Sequence, residues 1–213
     1  DRIIYEDIPS GQTWLTCIAE AMRHNRVLNI THQGFGKPYP STFEIEPYLL
    51  KVVKRRWYVV ARCPYYSDRN RAKGIKPNDV YRVYALDRIY DIEDTGKTFK
   101  MKKNFDANQY FEGCCGVITS DEPIQRIVLL AYGGFADYLR TLPLHESQRE
   151  IEGDDESTLF EYHLKPTFDF YQLVLAQGDQ VEVLEPESVR NEMRNFAKNM
   201  LDYYTWKEED KPC

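Results

Sequence analysis

Apolar and polar residues change their spacing several times along this 213-residue chain, and each change predicts an element. Trp14, Ile18, Ala21 and Met22 recur at helical spacing, which predicts a leading helix over Ser10 to Arg26 with Ser10 as its N-cap. Leu28 to His32 alternates as a strand, and Gly34, Gly36, Pro38 and Pro40 mark a turn-rich connection after it. Thr42 to Leu50, Lys51 to Cys63 and Val80 to Tyr90 read as further strands, rich in Val, Tyr, Trp and Phe. One helix followed by short strands and turns predicts a small, strongly bent sheet or barrel. The polar stretch Pro64 to Asp79, PYYSDRNRAKGIKPND, is too long for a tight hairpin and reads as an exposed, mobile loop.

The pattern changes again after Asp106. Phe105 to Phe111 reads as a short helix, and Gly113 to Asp121 as a linker. Gln125 to Leu130 is a strand, Gly134 to Thr141 a helix, His145 to Ile151 a strand, and Gly153-Asp154-Asp155 a turn. Leu159 to Lys165 is a strand, Thr167 to Ala176 a helix and Gln180 to Leu184 a strand. Pro186 then opens a long helix to Tyr204. Its apolar residues Val189, Met193, Phe196, Met200 and Leu201 share a stripe expected to pack on its own sheet. The order βαββαβα is that of a ferredoxin-like or split βαβ unit. The fold class is therefore α+β, with a leading helix region (1–26), a β-barrel domain (27–112), a linker (113–121), an α/β extension (122–205) and a tail (206–213).

Composition narrows the class. The chain is 42% hydrophobic and 29% charged, carries neither an 18-residue apolar run nor a signal-peptide pattern, and is expected to be cytoplasmic and not membrane-bound. Five cysteines form no CxxC pair or metal spacing, so reduced thiols are expected rather than zinc or a disulfide framework. Asp154, Asp155 and Glu156 fit a solvated turn better than a cation site.

Charge is divided unevenly, although the net charge is -6. Lys51 to Arg88 holds eleven Lys or Arg against three Asp, whereas His145 to Glu161 holds seven acidic residues and one Arg. A basic segment in an acidic chain points to an anionic ligand at the first domain. In RRWYVVARC (55–63), Trp57, Val59, Ala61 and Cys63 share one strand face and Tyr58, Val60 and Arg62 the other; in Tyr81 to Ile89, Arg82, Tyr84, Leu86 and Arg88 align. Guanidinium groups beside rings suit phosphate and stacked bases. On composition alone the same residues also describe a solvated basic face around a core Trp, and Lys51, Lys54, Arg55 and Arg56 fit a solvated hairpin edge.

Catalytic chemistry is thinly represented. The four His are scattered, and no HExxH, GxSxG, GxxxxGK[ST] or GxGxxG pattern occurs. Cys63 has no activating base near it in sequence. No enzymatic activity and no cofactor are expected.

These stretches together resemble the WYL-domain family, bacterial regulators named for a Trp-Tyr-Leu motif that stands here as Trp57-Tyr58-Val59. AMRHNRVLNITH (21–32), Glu46-Pro47-Tyr48-Leu49, RRWYVVARC and YRVYALDRI (81–89) are similar to the family's successive strands, the last to its Arg-x-Phe-x-Leu-Asp-Arg-Ile signature. LHESQ (144–148) and GDQVEVLEP (178–186) resemble its common C-terminal extension. The resemblance implies a small Sm-like barrel fused to an α/β extension, usually behind an N-terminal winged helix-turn-helix that binds DNA. No such reader is in this sequence, and Asp1 is expected to be a domain boundary. It further implies a ligand-sensing role, with nucleotides or single-stranded nucleic-acid fragments as ligands, and a homodimer. Carried over by residue, the pocket uses His32 where the family usually has Tyr, with Tyr58, Arg62, Arg82 and Arg88; Trp57 and Val59 serve the strand and core. Ala85 replaces a basic residue of many relatives, and Arg62 an aromatic or polar one, so the cationic geometry is expected to differ. Two other readings stay open: a nucleotide- or nucleic-acid-processing enzyme using Cys63 or His32, and a protein-interaction platform.

Overall fold

The computed structural model describes residues 11–77, 79–103 and 105–205. The Ser10 N-cap and the 206–213 tail lie outside them. The chain forms two compact units that divide between Ala107 and Asn108.

In the first unit a 3-10 turn (Gln12–Trp14) leads into α1 (Leu15–Arg23), whose apolar stripe buries Ile18 and Ala21. The strands are β1 (Arg26–His32), β2 (Ser41–Val53), β3 (Arg56–Arg62), β4 (Tyr81–Ala85) and β5 (Ile89–Thr98). Their order is β4-β3-β2-β1-β5, with antiparallel pairing throughout. Among the described residues no ladder joins β4 to β5, so the expected closed barrel is met by an open sheet. Period-two alternation sends Leu28, Ile30, Ile45, Val59 and Ala61 into one core with Ile18, and Trp57 packs partly buried against it. The β2–β3 hairpin turns on Lys54 and Arg55, both at positive φ (48° and 64°), the backbone that a two-residue hairpin of matching twist requires.

The strand expected over Lys51 to Cys63 is divided, since residues 51–53 end β2 and Arg56–Arg62 form β3 beyond the Lys54–Arg55 turn. Three further features depart from the sequence reading. The expected loop after Cys63 holds the helix α2 (Pro64–Lys73). Pro at its start and Gly74 at φ 65° bound it, but it has no apolar stripe for a periodicity to reveal, and its one buried residue is Ser67. The strand expected through Ile89 breaks at a 3-10 turn, Leu86–Arg88, so Arg88 leaves the alternation that Arg82 and Tyr84 follow. Beyond it lies β5, which the sequence reading passed over because its residues are mostly exposed and polar.

In the second unit the order βαββαβα appears as β6 (Gln125–Tyr132), α4 (Phe135–Thr141), β7 (Arg149–Gly153), β8 (Ser157–Leu164), α5 (Phe168–Leu175), β9 (Val181–Glu185) and α6 (Glu187–Tyr204), after the short α3 (Ala107–Tyr110). The antiparallel sheet runs β7-β8-β6-β9. Ile127, Leu129, Phe160 and Tyr162 meet Phe170 and Val174 of α5 in its core. The stripe of α6 reaches that core through Val189 and Met193, and Phe196 meets the Tyr171 ring of α5 at 5.6 Å; Met200 and Leu201 are exposed, 42% and 61%, so its last turns do not pack on the sheet as expected. No described helix is long and apolar enough to cross a membrane.

Ser67 anchors α2. Its Oγ donates to the Cys63 carbonyl at 2.8 Å and accepts the Val80 N–H at 3.0 Å. Ser67→Ala leaves that half-buried amide unmatched and is expected to cost about 1 kcal/mol, read as a lower urea midpoint with unchanged slope.

Candidate functional site

The five basic or aromatic residues expected to line a pocket fall into three environments. Arg62 is held by acid. Its Nε donates to Asp79 Oδ1 at 2.7 Å and its Nη1 to both oxygens of Glu46 at 3.1 Å, with the side chain 7% exposed. Burial alone would lower the guanidinium's pKa, but the bonds to Asp79 and Glu46 outweigh it and the net shift is upward. Burial also pushes the Glu46 carboxyl up against the pull of Arg62. Since arginine keeps its charge and meets both carboxylate oxygens, the pair stays ionic at neutral pH. Arg62 therefore has its charge matched inside the protein.

The second environment is built around the Leu86–Arg88 turn. Leu86 is fully buried, which turns Asp87 and Arg88 toward the end of β1 and the start of β3. Arg56 Nη2 donates to Asp87 Oδ2 at 2.5 Å, and the same guanidinium lies 5.8 Å from the Tyr58 ring. The Arg88 guanidinium stands 3.9 Å over the Phe35 ring, and Phe35 is 79% exposed. Burial pushes the Arg88 pKa down; Asp87 offsets this in part and Arg56 adds to it. His32, buried at the end of β1, feels the same field: burial lowers its pKa, Arg88 lowers it further, and Asp87 opposes them. His32 Nε2, Asp87 Oδ1 and Arg88 Nε are all buried, and none has a hydrogen-bond partner among the described residues. Most buried polar atoms are matched, and these three unmatched ones stand in electrostatic contact with one another.

Tyr84 joins this place to the third environment. Its ring meets the His32 ring edge-on, with centroids 5.3 Å apart. Tyr84 also interacts with Cys63, Arg82 and Tyr66, and burial drives its phenol pKa well above the usual tyrosine value. Exposed Arg82 stacks 3.9 Å over the Tyr66 ring of α2. Register places Arg82 opposite Ala61 and Arg62 opposite Tyr81, so the two arginines project from opposite faces of the sheet. Cys63 is 1% exposed, and a neighbour such as Tyr84, held strongly protonated, is a poor base for activating a thiol.

Residues 13–94 match the WYL domain and residues 123–201 the WCX domain. This is a WYL-domain protein. Its WYL match covers every residue of the environments just described. Among solved structures it is similar to proteasome accessory factor B/C (PafBC) of Arthrobacter aurescens, at 21% identity and a TM-score of 0.37; the alignment covers 95% of this chain and 29% of that one. It is also similar to a CRISPR Cas-related protein, at 11% identity and a TM-score of 0.48, covering 92% of this chain and 51% of the other. The WYL-domain chain thus spans well under two thirds of either. A search of curated proteins gave no match.

Of the residues expected in the pocket, the WYL domain brings His32, Arg88 and Tyr58 around Asp87 and Arg56, sets Arg82 at the far side of Tyr84, and encloses Arg62 in acid. Sequence reasoning missed Asp87, Phe35, Tyr66 and Tyr84 as site members and assigned Arg56 to a solvated edge. An arginine two residues from the motif Tyr and an Asp next to Arg88 were the available signals.

Two outcomes follow. Arg62→Ala strands Glu46 and Asp79 and is expected to cost about 3–5 kcal/mol, against about 0.5 kcal/mol or less for Arg82→Ala, in urea unfolding. For His32 the folded pKa lies below the unfolded value of about 6.5, so the unfolded chain binds more protons in between. Its contribution is complete above about pH 6.5 and is lost as pH falls below it, and the stability difference from His32→Gln should narrow in that direction.

Proposed function

We propose that the WYL domain is the sensing part of a bacterial transcriptional regulator. It binds an anionic nucleotide or a short single-stranded nucleic acid at the His32–Arg88 site and passes occupancy to a DNA-binding domain on its N-terminal side. The observation that carries this reading is the set of unmatched buried atoms His32 Nε2, Arg88 Nε and Asp87 Oδ1 beside the exposed Phe35 ring. Arg88, and His32 when its Nε2 carries the proton, supply donors for a phosphate; Asp87 supplies an acceptor for a base amine or sugar hydroxyl; Phe35 and Tyr58 supply stacking surfaces. A nucleotide offers the complement of each. The WYL assignment supports the regulatory role, and the WCX domain is the element through which a homodimer would form or occupancy be relayed.

The test is calorimetric titration with a nucleotide panel, and fluorescence anisotropy with short labelled single-stranded DNA, at two salt concentrations. Arg88→Ala is expected to weaken binding at least tenfold, about 1.4 kcal/mol, with an unchanged circular dichroism spectrum. Binding that is indifferent to Arg88→Ala, or no binding across the panel, overturns the reading.

A further inference from the structure

The helix α2 has no interior to explain its presence, since its nine residues other than Ser67 are partly or fully exposed. Yet it is well fixed, by Ser67 at one end and, at the other, by Asn70 Nδ2 donating to the Pro77 carbonyl at 2.9 Å. Tyr65, Arg69 and Lys73 stand four residues apart and so lie along one line of its surface. Tyr65 is 68% exposed.

The charges along this helix are not balanced. The two carboxylates of the segment are both engaged: Asp68 accepts from Arg71 at 2.9 Å, and Asp79 from Arg62 at 2.7 Å. Arg69, Lys73, Lys76 and Arg82 have no carboxylate partner among the described residues. The surface is therefore cationic with rings set into it. Tyr65 meets Tyr66 at 5.2 Å between centroids, and Tyr66 carries the Arg82 guanidinium at 3.9 Å. Tyr84 lies next, with its ring against His32. Tyr65, Tyr66 and Arg82 thus form one run of rings and a cation on α2 and β4, and buried Tyr84 stands between it and His32.

A protein partner would look for an apolar centre, which α2 lacks. A single strand of nucleic acid looks for cations that follow its backbone and rings that take its bases, whatever their sequence. From Tyr65 to Lys73 the helix rises about 12 Å, roughly three nucleotides at the 3.4 Å spacing of a stacked strand.

We propose that α2 is an outer track for single-stranded nucleic acid, with Tyr65 stacking one base and Arg69 and Lys73 contacting successive phosphates. The track extends the His32–Arg88 site and rests on reading that site as an anion site; together they make the ligand an oligonucleotide rather than a mononucleotide.

The experiment measures the affinity of the whole chain for a fluorescein-labelled ten-nucleotide oligothymidylate across a salt series. Arg69→Ala/Lys73→Ala is expected to weaken binding at least tenfold and to reduce the log–log salt slope by about 1.4, the value for two single-strand phosphate contacts. Tyr65→Ala should weaken it about tenfold, and Tyr65→Phe should restore it. All three positions are exposed, and circular dichroism checks the fold. Double-variant affinity within twofold of wild type, at an unchanged slope, overturns the track; a loss in Arg88→Ala would then leave the inner site standing. The opposite result, loss in the α2 variants with Arg88→Ala unaffected, overturns the inner site and leaves the track alone. A ten-residue glutamate peptide that competes as well as unlabelled oligothymidylate overturns the assignment to nucleic acid, as does the absence of wild-type binding.

Discussion

Leu86 is fully buried in the 3-10 turn between β4 and β5, and that turn sets where Asp87 and Arg88 stand. The turn is gripped from several directions. Gly11, at φ 72°, approaches so closely that a Cβ in its place would lie 2.4 Å from the Leu86 Cβ. Trp14 Nε1 donates to the Ile89 carbonyl at 3.0 Å, and the Gln33 N–H to the Arg88 carbonyl at 3.1 Å. Arg56 reaches from β3 to hold Asp87. The backbone that presents Asp87 and Arg88 is thereby fixed before any ligand arrives, which is the condition for a polar site to be preorganised.

Two buried or half-buried arginines of this domain have opposite environments. Arg62 sits between two carboxylates and spends its donors inside the protein. Arg88 has one carboxylate nearby, already shared with Arg56, and an aromatic ring beneath it. Arg88 thus keeps positive charge that its surroundings match only in part, although the chain as a whole is acidic. A buried charge that is incompletely matched is costly in the free protein, and an incoming anion that matches it recovers that cost on binding.

Much of this was legible in the sequence, and what was missed has identifiable causes. The alternating strands with Val59 and Ala61 inward and the βαββαβα order followed from spacing, because those elements bury one face and period records burial. His32, Tyr58 and Arg88 could be named from the resemblance, and the structure does gather them. Their partners could not, because Asp87 and Arg56 meet only through tertiary packing, 31 residues apart in sequence. Alternation places Arg88 on a strand face with Arg82 and Tyr84, and the 3-10 turn removes it from that face. α2 was invisible to periodicity because a helix that buries one serine has no stripe to detect.

That single serine also frees the rest of the helix. In most helices a third of the positions are bound to a core and resist change; here the attachment is one hydroxyl and the ends of the segment. Away from Tyr66, Ser67 and Asn70, its exposed positions can be exchanged with little effect on stability, so the charge pattern of this surface can change without rebuilding the fold beneath it.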